Sequence, residues 1–344
     1  MMNKYRIGIV GCGGIARAHI EGYRTVAKDL CEVVAGCDPN KKSLDDFCNK
    51  YDIPHRFTST QELIESEEVD VISLLTPPAV RGEVIFPAIE YGIHLLVEKP
   101  FAENMADAVS FVEAAGRAST TLAVNQQLRF MKDSLAVREI IAAGEIGEVR
   151  FIAHDHFQNR TRTSGWRKDE ARLEISIFSI HVLDRIRWLC GRPPESVTAA
   201  TRYWSDQVRG ETFTALTIQF VGGAVGTMVS NWHSLTIPEC RLRIDGTAGS
   251  LLSQKQAITA NDATLTVHRL GGEIERRDYS QENAFVIAMG ESMKRLLIGI
   301  DTNSAPPHSG RDNLQTMAIV DAAYLSASRG GERVEIAEVW PATV

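Results

Sequence analysis

The stretch YRIGIVGCGGIARAH, residues 5–19, places a cluster of glycines between an apolar run and a helical pattern. The apolar part predicts a β-strand, and the part after the glycines predicts an α-helix. Gly11, Gly13 and Ala16 fit the spacing G-x-G-x-x-G/A, which turns a strand tightly into a helix and lets a phosphate approach the backbone. An ordinary tight turn would use the same residues. The sequence of the rest of the chain is therefore needed to distinguish a phosphate-binding turn from an ordinary one.

Short, continuous apolar runs alternate with helical patterns through the first third of the chain. Such runs are typical of parallel strands covered on both faces, and their alternation with helices predicts a doubly wound α/β sheet. After about residue 124 the runs alternate apolar and polar residues, which indicates antiparallel strands, with two helical patterns at 174–190 and 311–328. We therefore predict a Rossmann domain over residues 1–123 and an α+β domain with a large, mostly antiparallel open sheet over residues 124–344.

The bulk composition limits the classes of function. The 344 residues suit two domains, and a net charge of −7 without a long basic run argues against binding to nucleic acid or to an anionic membrane. The six cysteines form no C-x-x-C pair and have no metal-ligand spacing, so we predict reduced thiols, a cytoplasmic location and no metal site. The first apolar stretch, of about six residues, is too short for a signal peptide or a membrane span.

An acidic residue follows the second predicted strand at the distance expected for a dinucleotide site. Asp38 ends the run CEVVAGCD, 22 residues beyond Ala16, where a carboxylate can accept hydrogen bonds from both ribose hydroxyls. The same carboxylate repels a 2′-phosphate, so NAD is favoured; Lys41 and Lys42 could offset that repulsion, which leaves NADP as the alternative. The residues predicted to bind the cofactor here are Gly11, Gly13, Gly14, Ile15, Ala16 and Asp38.

Two more apolar runs end in polar residues at the same edge of the predicted sheet. They are LLTPP, residues 74–78, and VEKP, residues 97–100. Ligands bind in open α/β sheets at the carboxyl ends of the strands. The pair Glu98–Lys99 is expected directly after an apolar run if Lys99 faces a binding cleft; an exposed strand end stopped by a proline is the alternative.

The combination of IGIVGCGGIA, CDP, LLTPP, VEKPFA and SGRDNLQTMAIVDAAYLSA resembles the Gfo/Idh/MocA oxidoreductases, the group of glucose-fructose oxidoreductase and inositol dehydrogenase. The resemblance covers nearly the whole chain, and VEKP is its most specific element. It implies that Lys99 lies beside the nicotinamide and the substrate hydroxyl, where an ammonium group stabilises developing oxyanion character.

The same resemblance implies further roles. It implies that the open sheet of the second domain packs against another subunit in a homodimer or homotetramer. Two residues depart from the family pattern near the TPP motif, because Arg81 stands where a histidine is common and Pro78 stands where asparagine is usual. The other implied cofactor contacts are Thr76, Pro77, Glu98, Lys99, Asn125, Trp166 and Arg167.

A second departure lies on the first long helical pattern of the second half. Residues 171–184, ARLEISIFSIHVLD, match the family pattern GGGxLxDxGxHxxD at His181 and Asp184, but Ile177 replaces the first aspartate and the glycines are absent. The resemblance implies that His181 takes the hydroxyl proton while hydride leaves. α-Helical spacing would place Glu174, Ile177, His181 and Asp184 on one stripe, so that Asp184 or Glu174 could support the histidine in place of the missing acid. In the alternative interpretation, Asp184 bonds elsewhere and His181 is a half-buried histidine with satisfied hydrogen bonds.

The segment before this helix, FQNRTRTSGWRKDEAR at residues 157–172, is rich in basic residues. Arginine gives planar, paired hydrogen bonds to carboxylate, sulfonate or phosphate, so an anionic sugar is one interpretation and a solvated loop is the other. In VNQQLRF, residues 124–130, Asn125 and Arg129 either line the cleft or pair at the domain junction. The residues predicted to contact substrate are Lys99, Arg129, Arg162, His181 and Asp184.

Three functions follow from these patterns. The first is an NAD(P)-dependent dehydrogenase acting on a sugar, sugar acid or cyclitol hydroxyl, with His181 as base and Lys99 as positioning cation. The second is an NAD-dependent oxidoreductive glycosidase, in which transient oxidation, elimination and re-reduction release a sugar without net NADH. The third is a non-catalytic regulator that binds NAD or a sugar, and the presence of both Lys99 and His181 argues against it.

Overall fold

A computed structural model, which describes residues 4–160 and 163–340, shows that the apolar runs of the first third form a parallel sheet. Its spatial order is β3-β2-β1-β4-β5-β6, the doubly wound order in which the chain reverses direction beside the first strand. Strands β1, β4 and β5 are buried on both faces, as their continuous apolar sequences predict. The strands are β1 (Tyr5–Val10), β2 (Cys31–Cys37), β3 (His55–Phe57), β4 (Val71–Leu74), β5 (His94–Val97) and β6 (Leu122–Val124).

The second half contains a nine-stranded sheet of order β14-β13-β12-β11-β7-β10-β9-β8-β15. Every neighbouring pair is antiparallel except β7 and β10, which run parallel. The predicted fold class, a Rossmann sheet followed by a mostly antiparallel sheet, is therefore confirmed. The strands are β7 (Val149–Phe157), β8 (Pro194–Arg202), β9 (Phe213–Phe220), β10 (Val225–Asn231), β11 (Glu239–Gly246), β12 (Gly249–Lys255), β13 (Thr264–Arg269), β14 (Ile274–Asp278) and β15 (Val334–Glu335).

The helices include four that the sequence pattern did not predict, α3, α6, α8 and α10. The pattern at 174–190 also differs from the prediction of one α-helix, because Glu174–Ser179 forms a π-helical segment before the α-helix begins. The α-helices are α1 (Ala16–Val26), α2 (Lys41–Tyr51), α3 (Thr60–Glu65), α4 (Gly82–Glu90), α5 (Met105–Arg117), α6 (Lys132–Ala142), α7 (Ile180–Cys190), α8 (Ala284–Asp301), α9 (Gly310–Ser328) and α10 (Ile336–Val339).

Contacts divide the chain into two units. The first unit contains residues 1–127 and 286–314, and the second contains residues 128–285 and 315–344. The domains predicted from the sequence, 1–123 and 124–344, stay a prediction. That prediction assigns residues 286–314 to the second domain, whereas contacts group them with the first unit.

Two glycines explain how this returning segment joins the first unit. Gly22 of α1 and Gly290 of α8 face each other so closely that a Cβ on Gly22 would lie 2.7 Å from the backbone nitrogen of Gly290. Met293, Leu296 and Leu297 of α8 then join the same buried core as β1 and α1. Helix α8 thus packs in the core of the first unit, beside the parallel sheet.

Among the helices of residues 4–160 and 163–340, none has the length and apolar composition of a membrane-spanning segment.

Candidate functional site

The glycine cluster forms the turn from β1 into α1. Gly11 has a φ of +97°, and a Cβ there would lie 3.2 Å from the carbonyl carbon of Leu75, so the turn requires glycine. A Cβ on Gly13 or Gly14 would instead meet nothing within 4 Å. The N-cap residue of α1, Ile15, has no side-chain acceptor for the free N–H groups that follow. Open space beside an uncapped helix N-terminus fits a diphosphate group.

Asp38 lies where the glycine loop and the end of β2 meet. Its Oδ2 accepts a hydrogen bond from the backbone nitrogen of Cys12 at 2.9 Å, and its Oδ1 accepts one from the backbone nitrogen of Asn40 at 2.8 Å. The half-buried carboxylate is therefore fixed beside the loop, and each oxygen keeps a second lone pair for a ribose hydroxyl.

The two lysines that follow already have carboxylate partners on α2. Lys41 Nζ lies 3.1 Å from Asp45, and Lys42 Nζ lies 2.6 Å from Asp46. Both are i,i+4 pairs on a solvated helix face. These contacts agree with the interpretation of Lys41 and Lys42 as helix-surface residues.

Glu98 is the centre of a buried hydrogen-bond chain in the first unit. Its Oε1 accepts from His19 Nε2 at 2.9 Å and from the amide nitrogen of Asn125. His19 Nδ1 lies 2.7 Å from the Tyr23 hydroxyl, which lies 2.7 Å from Ser73 Oγ. These hydrogen bonds join α1, β4 and the end of β5. Asn125 thus contributes by donating a hydrogen bond to Glu98.

This environment keeps the Glu98 carboxyl group ionised next to Lys99. Burial acts to raise the pKa of Glu98, but the hydrogen bond and charge of His19, the charge of Lys99 and the Asn125 amide lower it to about 2. Lys99 itself is half-buried at the carboxyl end of β5. The Glu98 carboxylate thus places a negative charge next to Lys99 in the chain, at this edge of the sheet.

Arg81 joins the ends of β4 and β5. Its Nε and Nη2 donate to the carbonyl oxygen of Thr76 at 3.2 and 2.7 Å, and its Nη1 donates to the carbonyl oxygen of Pro100. Burial lowers the pKa of Arg81 to about 9, which still leaves it charged at neutral pH. The hydroxyl of Thr76 is buried without a partner among the described residues, so a donor or acceptor remains at the predicted cofactor contact.

In the second unit, His181 is the second residue of α7 and is 7% exposed. Asp184, one turn later, is held by other residues. Its oxygens accept from Arg129 Nε at 2.6 Å, from Arg129 Nη2, from Arg187 Nη2 at 3.3 Å and from Thr316 Oγ1 at 2.8 Å. Burial acts to raise the pKa of Asp184, but the two guanidinium groups and the hydroxyl hold it below its usual range. This geometry favours a structural anchor over a contact with substrate for both Arg129 and Asp184.

The predicted α-helical stripe from Glu174 to Asp184 is wrong in its first turn. The π-helical spacing brings Ser179 Oγ to Glu174, five residues earlier, where it donates to Oε1. Glu174 Oε1 also lies 3.5 Å from Nε2 of His156 on β7, which lies 2.7 Å from Ser230 Oγ on β10. No local sequence signal marks His156, because its partners come from distant parts of the chain.

Glu211 is a second buried acid without a local sequence signal. Its carboxylate accepts from the backbone nitrogens of Leu173 at 3.2 Å and Ile175 at 3.0 Å, and from the Tyr324 hydroxyl at 2.5 Å. Burial raises the pKa of Glu211. Glu211 lies in the connection between β8 and β9. Its carboxylate therefore accepts from the free N–H groups at the start of the π-helical segment and fixes the helix that carries His181.

Ile177, which replaces the expected aspartate, packs in a buried cluster with Leu173, Val208 and Trp232. Trp166 and Phe178 pack against the same cluster. A carboxylate at position 177 would thus be buried among apolar side chains. Trp166 and Arg167 lie together on the short turn Gly165–Asp169, whereas Arg162 lies outside the described residues.

Comparison with known proteins agrees with this arrangement. Residues 5–126 match the model of the GFO/IDH/MocA oxidoreductase family with an NAD-binding Rossmann fold, and residues 134–252 match the GFO/IDH/MocA C-terminal domain. The chain is 25% identical to D-apiose dehydrogenase from Paraburkholderia graminis, over 97% of this chain and 90% of that protein.

Solved structures share the fold. An oxidoreductase from Agrobacterium radiobacter, in complex with NAD+, L-tartaric acid and magnesium, superposes with a TM-score of 0.89 at 22% identity, covering 98% of this chain and 99% of the other. Levoglucosan dehydrogenase, in complex with NADH and levoglucosan, superposes with a TM-score of 0.86 at 18% identity, covering 97% of this chain and 100% of the other.

Proposed function

Because the chain belongs to the Gfo/Idh/MocA family of NAD-binding sugar oxidoreductases, we propose that it transfers a hydride between the CH–OH group of a sugar, sugar acid or cyclitol and NAD. The observation that carries the proposal is the end of β5, where Lys99 follows a Glu98 carboxylate that is held ionised by His19 and Asn125. This strand end belongs to the same sheet edge as the glycine loop. The similar D-apiose and levoglucosan dehydrogenases support a carbohydrate substrate.

The glycine loop and Asp38 would hold the cofactor. The diphosphate would occupy the open space at Gly13 and Gly14, and Asp38 would accept from the ribose hydroxyls. NAD is preferred over NADP in this proposal, because Asp38 repels a 2′-phosphate while Lys41 is engaged by Asp45. When bound, the nicotinamide supplies the hydride acceptor.

Two side chains of this chain act on the substrate hydroxyl in the proposal. The Lys99 ammonium donates a hydrogen bond to the hydroxyl oxygen and stabilises its developing negative charge. The His181 imidazole accepts the hydroxyl proton as the carbon loses its hydride, so that CH–OH becomes C=O. Asn125 acts through Glu98, and Arg129 and Asp184 hold α7 in place.

The test is NADH formation, followed by absorbance, with a panel of sugars, sugar acids and cyclitols. Lys99→Ala should abolish turnover and leave NAD binding, measured by calorimetry, mostly intact. Lys42→Ala is the matched control, because it removes a lysine from the exposed face of α2. Wild-type turnover in Lys99→Ala would refute the role of Lys99.

The oxidoreductive glycosidase is the second candidate, because the helical stretch that carries His181 departs from the family pattern. Ile177 lies in a buried apolar cluster, where that pattern has an aspartate. Incubation with glycosides and NAD separates the two functions. Release of free sugar without accumulation of NADH would support the glycosidase, and stoichiometric NADH would support the dehydrogenase.

We also propose that the chain forms a homodimer or homotetramer through the open face of its large sheet. Along β9 and β10, buried side chains alternate with half-buried ones, which include Ala215, Thr217, Thr227 and Val229. Small and apolar residues on a partly exposed sheet face are suited to packing against a second copy. A sedimentation measurement that shows only monomer would refute this.

A further inference from the structure

Arg160 follows β7 and lies against two aromatic rings of the second unit. Its backbone nitrogen donates to the carbonyl oxygen of Trp232 at 2.8 Å. Its guanidinium carbon lies 4.5 Å from the centroid of the Phe178 ring and 5.7 Å from that of Trp232. Stacking covers the faces of the guanidinium and leaves its N–H donors, which point along its plane, for another partner.

Arg167 contacts a ring at the same cluster. Its guanidinium carbon lies 5.1 Å from the centroid of the Trp166 ring, and Trp166 packs against the cluster that contains Trp232. Two neighbouring basic residues are already paired, Arg172 with Asp321 and Lys168 with Asp169. Within residues 4–160 and 163–340, neither Arg160 nor Arg167 forms an ion pair with a carboxylate. Of the described residues in the basic segment, these two arginines therefore carry charge that no carboxylate neutralises.

Their charges act on each other. Burial and then repulsion by Arg167 lower the pKa of Arg160, and the attraction of Glu174 is a smaller effect. Glu174 Oε1 is taken by Ser179 and lies 3.5 Å from His156. Arg160 is therefore a half-buried cation beside aromatic rings, and the nearby Glu174 carboxylate is engaged by Ser179 and lies close to His156.

Both arginines border one buried apolar cluster. Ile177 and Trp232 belong to this cluster, and Trp166 and Phe178, the rings that the two guanidinium groups contact, pack against it. The indole nitrogen of Trp232 is buried without a partner among the described residues, so it is one further donor. A ligand that brings a carboxylate to this place would balance the charge of the two arginines.

We propose that Arg160 and Arg167 bind the carboxylate of the substrate, which makes the substrate a sugar acid such as a uronate or an aldonate. This rests on the proposed function, because it names the substrate class of the same oxidoreductase. A carboxylate between two guanidinium groups receives several charge-assisted hydrogen bonds, which a neutral hydroxymethyl group cannot replace.

The test compares matched acid and neutral sugars at constant ionic strength. The pairs are D-glucuronate with D-glucose, D-galacturonate with D-galactose, and D-gluconate with D-glucitol. The wild-type protein should favour the acid of at least one pair by 10-fold or more in kcat/KM. Arg160→Gln and Arg167→Gln should each lower that acid-to-neutral ratio by about 10- to 100-fold, the range for a lost hydrogen bond between charged groups.

Lys168→Gln is the matched control, because it removes a neighbouring exposed cation and should leave the ratio unchanged. The ratio does not move when a substitution merely reduces the amount of folded protein. Calorimetric binding of the three acids, in the presence of NAD, is the independent readout and should weaken in both arginine variants.

Three outcomes are decisive. Oxidation of neutral sugars without preference for acids, and with an unchanged ratio in both arginine variants, would overturn this inference and keep the proposed function. Acid binding that both variants weaken, without oxidation of any compound, would support the carboxylate site and count against the proposed function. Absence of both acid binding and acid oxidation would overturn the inference.

Discussion

Replacing Glu98 with glutamine should change how the stability of the first unit depends on pH. In the folded chain the pKa of Glu98 is about 2, against 4.5 for an ordinary glutamate, because His19, Lys99 and Asn125 outweigh the effect of burial. Glutamine keeps the shape of the side chain and an oxygen that can accept from His19 and Asn125. The substitution therefore removes the ionisation more than the packing.

The magnitude follows from the linkage between proton binding and folding. The difference between 4.5 and about 2 corresponds to about 3 kcal/mol of stabilisation by the ionised form. Because the folded pKa is depressed, this stabilisation is fully present above the unfolded pKa and is lost as the pH falls through the folded pKa. About 2 kcal/mol of it should be gone at pH 3.

Urea unfolding at pH 7, 5 and 3 measures this effect. The wild-type protein should lose about 2 kcal/mol more than Glu98→Gln between pH 7 and pH 3. Glu103→Gln is the control, because Glu103 is an exposed acid close to Glu98 in the chain, and it should follow the wild-type pH dependence. Parallel pH profiles for the wild-type protein and Glu98→Gln would refute the reasoning.

Three further predictions concern stability and cofactor binding. Arg129→Met should destabilise the second unit by about 3–5 kcal/mol in chemical denaturation, because it leaves a buried Asp184 carboxylate short of two hydrogen bonds; a loss below about 1 kcal/mol would contradict the anchor role. Gly22→Ala should destabilise the first unit by about 1–3 kcal/mol, since its methyl group meets the backbone of α8, whereas Gly13→Ala should keep its melting temperature and bind NAD at least about 10-fold more weakly in a fluorescence titration. Glu211→Ala should cost about 1–3 kcal/mol in the same denaturation assay, because the π-helical segment loses its acceptor; an unchanged midpoint would count against that cap.

The first sheet could be predicted from the sequence because its signals are local. Continuous apolar runs, the glycine spacing and Asp38 each act over a few residues, and the structure places them at one edge of a parallel sheet. Strand β3 was missed because His55–Phe57 has three residues and only one of them is apolar. Helix α8 was not predicted, although its buried residues recur at helical spacing from Ala284 through Met289 and Met293 to Leu297.

The candidate site was predictable only where one motif holds the residues. VEKP marks Lys99 by itself, but the partners of Glu98 come from α1 and from the end of β6. The same holds for Asp184, since nothing in the local sequence shows that Arg129, 55 residues earlier, binds it. The π-helical segment was also hidden, because α-helical and π-helical spacings share the same short apolar pattern.

The contact between Gly22 and Gly290 has a consequence for how this protein can be divided or recombined. A fragment that ends at residue 127 would lack α8 and would expose the buried face that Met293, Leu296 and Leu297 cover. Such a fragment should aggregate on expression, whereas co-expression with a peptide spanning α8 should restore solubility. A chimaera that takes the first unit from a relative therefore needs two separate segments of that relative, the equivalents of residues 1–127 and 286–314. A single crossover would combine the sheet of one protein with the α8 helix of the other.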